Sequence, residues 1–297
     1  MKKNFIPQFT LPEIAIWNGL PKTELPDYNL SSVEPGCLLQ EFPYRTTFYG
    51  IGMCKTGTVK LHARLDCYSV TPGSILIMEP ELVRSWSNQS ADYLNNAIFF
   101  TEAFLTEESL HFKLLQNFHF LKSEAPKVWQ LASSEFDRIW HFLREIKYIV
   151  LSDSIRKKEI VRGYLMIVLN IVADNFDLYN TSQTEPTTWI NDLVDRFKST
   201  VTEHYMTRRL VSDYADLLNV TSKHLSESVK MATGRTAGRW IDGLLILEAK
   251  VLLKQTKLNI SQIALHTRFN DVSSFGKFFK RHTGISPIAY RKLTYLE

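Results

Sequence analysis

The chain has 297 residues, a formal net charge of +4, 44% hydrophobic and 22% charged residues, enough for two domains that each bury a core of their own. No window approaches the roughly 20 apolar residues that span a bilayer: the richest run, 164–173, is interrupted by Asn170, and Pro7 and Pro12 break any apolar core of a signal peptide. The expectation is a cytoplasmic protein with no membrane partner. Cys37, Cys54 and Cys67 are odd in number and widely spaced, which suits neither a disulfide framework nor a four-cysteine zinc site, so they read as reduced thiols on strands.

Residues 37–100 alternate apolar and polar over short runs, with strand candidates at 58–65, 74–78 and 93–100 and turns at Thr56-Gly57 and Pro72-Gly73. Many short strands with such punctuation predict an antiparallel sandwich or barrel. His62 stands alone among these strands without a His-x-His pair, so the donor set for a metal cage is lacking, and no metal and no cofactor is expected. Tyr49, Tyr68, Trp86, Tyr93 and Phe99 are candidates to line a pocket for a small-molecule effector, set against the plainer reading as aromatic barrel core.

After Pro126 the pattern turns helical, with Trp129, Phe136, Ile139, Trp140, Leu143, Ile146 and Ile149 on one broad face. Residues 151–154 break it. A second helix, 155–176, is apolar at Ile160, Tyr164, Ile167, Val168, Ile171 and Val172. The two form an antiparallel hairpin that either packs on the sheet or supplies the seam of a homodimer. Residues 180–188, NTSQTEPTT, hold no apolar side chain and read as an interdomain linker.

The remainder is helical: a helix over 189–205, a two-helix unit over 210–233, a long apolar helix over 237–255, a second two-helix unit over 260–283, and a short helix near Ile288. The two units repeat one pattern. Ala215, Val220, Leu225, Val229 and Gly234 recur as Ala264, Phe269, Phe275, Phe279 and Gly284. A buried alanine where two helices cross, a tight turn, and a second helix with apolar residues four apart ended by glycine make a helix-turn-helix. Four residues after the alanine the turn needs positive φ, which Asn219 tolerates and Arg268 adopts at a cost of order 1 kcal/mol. From Trp189 onward there are 17 Lys and Arg against 10 Asp and Glu, whereas the first 188 residues carry 18 against 21. That asymmetry puts a surface for double-stranded DNA in the C-terminal third.

The second helix of each unit should offer its first turns to a major groove. With Leu225 and Val229 inward, Ser222, Lys223, Ser226, Glu227 and Lys230 point outward; with Phe275 and Phe279 inward, Val272, Ser273, Ser274, Lys277, Lys280 and Arg281 are the candidates. Lysine reads guanine edges, glutamate accepts from cytosine and valine touches a thymine methyl, while Lys280 and Arg281 suit phosphates better than bases. Thr221, Ser222 and Asp271 sit at capping or phosphate positions.

The run IALHTRFNDVSSFGKFFKRHTGISPIAYRK, residues 263–292, resembles the C-terminal signature of the AraC/XylS family of bacterial transcription regulators at Ile263, Ala264, Phe269, Ser273, Phe275, Phe279, Lys280, Gly284, Pro287, Tyr290 and Arg291. The resemblance implies two recognition helices held by a linker helix and inserted into successive major grooves. It puts the base-reading sites on Lys223, Ser226 and Glu227 and on Val272, Ser273 and Lys277. Leu244 and Val251 stand where relatives often carry arginines, so the linker helix reads as a buried spacer. PGSILIMEP, residues 72–80, resembles less specifically the family's sensing domain.

The expected fold is α+β: a cupin-like antiparallel β-barrel over about 1–125 with a helical hairpin over about 126–178, a linker over 179–188, and an all-α double helix-turn-helix domain over 189–297. The expected function is a non-enzymatic, sequence-specific regulator, an effector-responsive activator that engages RNA polymerase. The rivals are an architectural DNA binder without effector and a DNA-repair methyltransferase. The latter needs a zinc-bound cysteine cluster that three separated cysteines do not supply.

Overall fold

The computed structural model describes residues 9–11, 13, 27–106, 114–121, 125–183 and 189–292. Residues 184–188 of the expected linker, residues 1–8, 12, 14–26, 107–113 and 122–124 of the expected barrel, and residues 293–297 of the expected DNA-binding domain lie outside the described residues. The chain divides into two compact units, one of Phe9–Glu41 with Arg45–Glu185, the other taking in Phe42–Tyr44 and Pro186–Glu297.

The first unit contains two antiparallel sheets. Strands β1 (Tyr28–Val33), β2 (Tyr49–Thr56), β3 (Val59–Ala63), β4 (Asp66–Val70), β5 (Ser74–Met78), β6 (Arg84–Ser87), β7 (Leu94–Phe100) and β8 (Val128–Gln130) pair in the orders β1-β7-β2-β5-β8 and β4-β3-β6. The period-two pattern carries through: in β3, Val59, Leu61 and Ala63 are buried while Lys60 is exposed. Strand β5, SILIM, is buried at every position because it sits inside the larger sheet. Gly57 turns β2 into β3 at φ +71°, and a Cβ there would lie 2.5 Å from the Tyr93 backbone, so only glycine fits.

One face of the larger sheet, with Ile51, Met53, Ile75, Ile77, Ile98 and Phe100, packs against the hairpin of α2 (Ser133–Leu151) and α3 (Lys157–Gln183); a short helix, α1 (Glu102–Thr106), precedes them. Ile139, Leu143 and Ile146 come from α2, and Val161, Leu165, Val168 and Val172 from α3. Three expectations change here. Trp129 belongs to strand β8, paired with Ile75, rather than to the helix that follows. The linker expectation for 180–183 yields to helix, since α3 runs on to Gln183 and the Thr181 hydroxyl donates to the Asp177 carbonyl one turn back. The buried face of α3 is also rotated in part: Val168, Ile171 and Val172 are buried as expected and are joined by Val161, Leu165, Leu169 and Phe176, whereas Ile160 and Tyr164 are half-buried and Ile167 is exposed. The helix is apolar around most of its circumference, so periodicity alone could not choose between adjacent stripes.

Buried Glu79, Lys127 and Arg84 of this unit have polar partners. Glu79 accepts from Arg64 and from Lys127, each at 2.7 Å, and Arg84 donates to the Thr46 hydroxyl at 3.1 Å. Burying such ions requires compensating partners of this kind.

The second unit is helical: α4 (Trp189–His204), α5 (Val211–Leu217), α6 (Ser222–Thr233), α7 (Ala237–Gln255), α8 (Ile260–His266), α9 (Val272–Thr283) and α10 (Pro287–Lys292). Phe197 of α4 meets Tyr214 of α5 edge to face at 5.9 Å, both fully buried. Helix α7 touches both α6 and α9. No helix among the described residues is long and apolar enough to cross a membrane.

Trp129 is enclosed by Phe120, Phe176 and Tyr179, with ring centroids 5.2–6.5 Å away. Trp129→Ala is therefore expected to destabilise the chain by about 3–5 kcal/mol, read as a lower midpoint in equilibrium urea unfolding.

Candidate nucleic-acid interface

Each helix-turn-helix is made by the same backbone bonds 49 residues apart. The Val220 amide donates to the Ala215 carbonyl at 3.0 Å, and the Phe269 amide to the Ala264 carbonyl at 2.8 Å. Between them Asn219 and Arg268 hold φ +56° and +59°, the left-handed conformation the turn demands. Ala215 and Ala264 are almost fully buried, so a larger side chain there would force the two helices apart.

The recognition helices α6 and α9 begin and end alike. The Thr221 hydroxyl accepts from the His224 amide at 3.2 Å, and an Asp271 carboxylate oxygen accepts from the Ser274 amide at 2.8 Å. Ser274 also donates its hydroxyl to Asp271 at 2.7 Å. This hydroxyl bond, together with the Ser274 amide and the nearby Lys277, holds the exposed Asp271 carboxyl below its ordinary pKa. At the other end, Gly234 and Gly284 adopt left-handed φ of +71° and +81° and donate to Lys230 and Lys280 carbonyls. Thr233 and Thr283 add matching hydroxyl bonds to the Val229 and Phe279 carbonyls at 2.7 and 2.8 Å.

These frames fix which side chains face outward. Leu225 and Val229, then Phe275 and Phe279, are completely buried. Ser222, Lys223, Glu227 and Lys230 are exposed on α6, and Ser226 is half-buried. On α9, Val272, Ser273, Ser274, Lys277, Lys280 and Arg281 are all exposed, Val272 at 42%. Two features emerge only from the structure. Met231 is exposed at 71%, one turn after Glu227 on α6, and the carboxylate of Asp271 takes up the Ser274 hydroxyl. Glu227 and Lys277 occupy equivalent places in the two repeats with opposite charge.

Helix α7 carries no comparable surface. Leu244 and Val251 are buried with Ala237, Trp240, Ile241, Leu245, Ile246, Ala249, Leu252 and Leu253, as a spacer helix requires.

The aromatic residues of the first unit do not form one group. Tyr68 and Trp86 flank Leu61 from either side of the smaller sheet, and burial pushes the Tyr68 phenol up to about 12. Tyr49 lies on the larger sheet, stacked on Phe100 at 5.6 Å against the hairpin-facing core. Tyr93 is fully buried, bonded to Asn95, with its phenol raised by that burial, which makes it core. His62 Nε2 lies 2.8 Å from the Ser87 hydroxyl. Cys54 is buried, its thiol raised to about 12 chiefly by desolvation, whereas Cys37 and Cys67 are exposed and free.

Residues 214–293 match the model of a helix-turn-helix domain family. The HTH-type transcriptional activator AarP of Providencia stuartii is 37% identical over 90 residues, 30% of this chain and 67% of that protein. The chain belongs to the AraC/XylS family. YisR of Bacillus subtilis, an uncharacterized HTH-type transcriptional regulator, is 32% identical over 91 residues, 31% of this chain and 32% of that protein, so the chain spans about a third of that relative's length. Across 89% of this chain and 97% of the other, the structure of ToxT from Vibrio cholerae is similar at a TM-score of 0.40 and 17% identity, too distant to argue from.

Within this AraC/XylS chain the least comfortable residue of the frame is Arg268, an exposed arginine held at positive φ. Arg268→Gly should raise stability by about 0.5–1 kcal/mol, the relief of left-handed strain exceeding glycine's entropy loss. Chemical denaturation of the two chains side by side measures it, and a loss of stability would mean that the arginine side chain contributes more than its strain costs.

Proposed function

We propose that the chain is a sequence-specific transcription activator that inserts α6 and α9 into successive major grooves of double-stranded DNA. The observation that carries this reading is the residue-by-residue equivalence of the two units. The same turn, the same caps and the same buried positions leave Lys223, Ser226 and Glu227 on one recognition helix, and Val272, Ser273 and Lys277 on the other, facing away from the core. In this reading Ser222, Lys230, Lys280 and Arg281 position the helices on phosphates, while the Ser274 hydroxyl stays committed to the Asp271 carboxylate. Residues 189–297 act as the DNA-binding domain, and the sign of regulation follows AarP, described as an activator, with RNA polymerase as the further partner.

The two units divide the work. The second carries Lys277, Lys280 and Arg281 and a core of Phe275 and Phe279, so it supplies most of the affinity; the first, with Glu227 among its readers, supplies discrimination. Regulation comes from the N-terminal part of the chain that carries the two sheets, where a small-molecule effector would meet Tyr68 and Trp86 on one face of the smaller sheet. A difference in affinity for two arrangements of the chain would then transmit the signal.

Footprinting of the full chain on genomic DNA, repeated over a range of salt concentrations, tests the DNA reading. Protection of two adjacent major grooves on one face is expected, with Lys277→Ala relaxing sequence preference by about 1–3 kcal/mol at one position. Arg281→Ala should weaken binding to every sequence and reduce the salt slope by about one. Sequence-blind protection would leave only the architectural reading.

The hairpin surface supports a homodimer. Ile155 in the turn of the hairpin is 100% exposed and Leu151 at the end of α2 76%, with Leu178 further along α3 at 71%, large apolar side chains left in water on the hairpin. Ile155→Asp with Leu151→Asp should convert a dimer to a monomer in sedimentation at micromolar concentration, and a wild-type chain that is already monomeric there would remove this seam.

A further inference from the structure

The turns described above hold each helix-turn-helix unit together internally, and a separate set of contacts fastens one unit to the other. Arg209, in the segment between α4 and α5, leaves its own unit. Its guanidinium donates to the Thr267 carbonyl at the end of α8 and lies 4.3 Å over the ring of Phe269. It thus grips the two residues on either side of Arg268, the left-handed residue of the second turn. Thr267 is wholly buried and its hydroxyl is turned inward to the Ile263 and Ala264 carbonyls at 2.7 and 3.2 Å.

Asp242 of the linker helix acts on this arginine through its charge. Burial pulls the Arg209 guanidinium below its ordinary range and the Asp242 carboxylate opposes that shift. The same carboxylate lies 3.4 Å from His282 Nε2 in the last turn of α9. The His282 ring packs on Phe278 at 4.6 Å, and Phe278 on Phe269 at 5.1 Å. Contacts thus run from Arg209 through Phe269, Phe278 and His282 to Asp242, joining the lead-in to the first unit, the second unit and the linker helix. His282 Nε2 also lies 3.2 Å from the Arg281 guanidinium, so one ring nitrogen stands between the clamp and a residue of the proposed DNA face.

We propose that Arg209 is a positioning residue that locks the second helix-turn-helix unit against the first, so that the two recognition helices meet DNA at one fixed spacing. The proposal rests on the DNA-binding reading above. Arg209 is half-buried, with a donor committed to a carbonyl and its flat face to an aromatic ring, an arrangement suited to a planar guanidinium and not to the point charge of lysine.

The test uses the full chain, with Arg209→Ala, Arg209→Lys and Asp242→Asn, titrated against the footprinted operator and against copies with one base pair inserted or removed between the two protected grooves. Wild type should bind the altered spacings at least about tenfold more weakly, because only one helix then engages fully. Arg209→Ala should bind the native operator more weakly and discriminate between spacings by less than about threefold, Arg209→Lys should not restore discrimination, and Asp242→Asn should fall between. Unchanged discrimination in Arg209→Ala would overturn the proposal. So would a salt slope reduced by about one, which marks a phosphate contact.

A measurement without DNA separates this idea from the function it rests on. Amide exchange across 260–283 should rise at least about fivefold in Arg209→Ala while exchange across 211–233 stays as in wild type. Equal exchange in both chains would reject the clamp even if footprinting succeeds. Raised exchange beside sequence-blind footprints would retain the clamp and reject the specific-regulator reading.

Discussion

Both helix-turn-helix units depend on one shared apolar helix. A pair such as α5 and α6 is too small to enclose a core of its own, and so is α8 with α9. Helix α7 solves this by being apolar around nearly its whole circumference: Ile246, Ala249, Leu252 and Leu253 join Ile263, Ala264, Phe275 and Phe279 in one cluster, and Ala237, Trp240, Ile241, Leu244 and Leu245 are buried along its first half. Interiors packed in this way are stiff, and 19 residues of helix extend about 28 Å at 1.5 Å each. The one buried carboxylate on it, Glu248, accepts from the Tyr205 hydroxyl at 2.8 Å and so ties down the end of α4. A linker that gave up Leu244 or Val251 for a phosphate-binding arginine would lose part of that shared core.

Most of the second unit was legible because its constraints are local. A turn that needs positive φ shows itself as Asn219, a crossing that needs a small residue as Ala215 and Ala264, and a helix end as Gly234 and Gly284. Arg268 was legible through register alone: nothing in arginine favours the left-handed region, yet the repeat leaves no other residue for that place. The outward set on α6 and α9 followed from the four-residue spacing of Leu225 with Val229 and of Phe275 with Phe279. Arg209 and His282 were not legible in this way. Their partners lie 58 and 40 residues away, and a charged side chain at such a distance leaves no periodicity to read.

The first unit was harder for physical reasons that differ element by element. Trp129 follows Pro126 and precedes a strong helix, and its strand is only three residues long, so pairing with β5 decided a place that local pattern could not. The segment 180–183 has no apolar residue and reads as linker. It remains helical because α3 is already nucleated and each further residue adds a backbone bond at small cost. Tyr49, Tyr68, Trp86 and Tyr93 look alike in sequence. The fold assigns Tyr49 to the hairpin-facing core, Tyr68 and Trp86 to the two edge strands of one sheet face, and Tyr93, just ahead of β7, to full burial.

The rotated face of α3 connects the ambiguity of the sequence to a property of the surface. A helix that served only to cover a sheet would need one apolar stripe, with polar residues opposite. Here Val161, Leu165, Val168, Ile171 and Val172 already cover the sheet, yet beside them Ile160 is only half-buried and Ile167 is exposed. Ile155 just ahead of the helix and Leu178 near its end are also left in water. Burial of one such side chain is favourable by about 1.5–3 kcal/mol, so leaving several exposed forgoes a stabilisation comparable to that of a whole small domain. The apolar excess that hid the buried face from a periodicity argument is therefore the same excess that leaves Ile155, Ile167 and Leu178 in water.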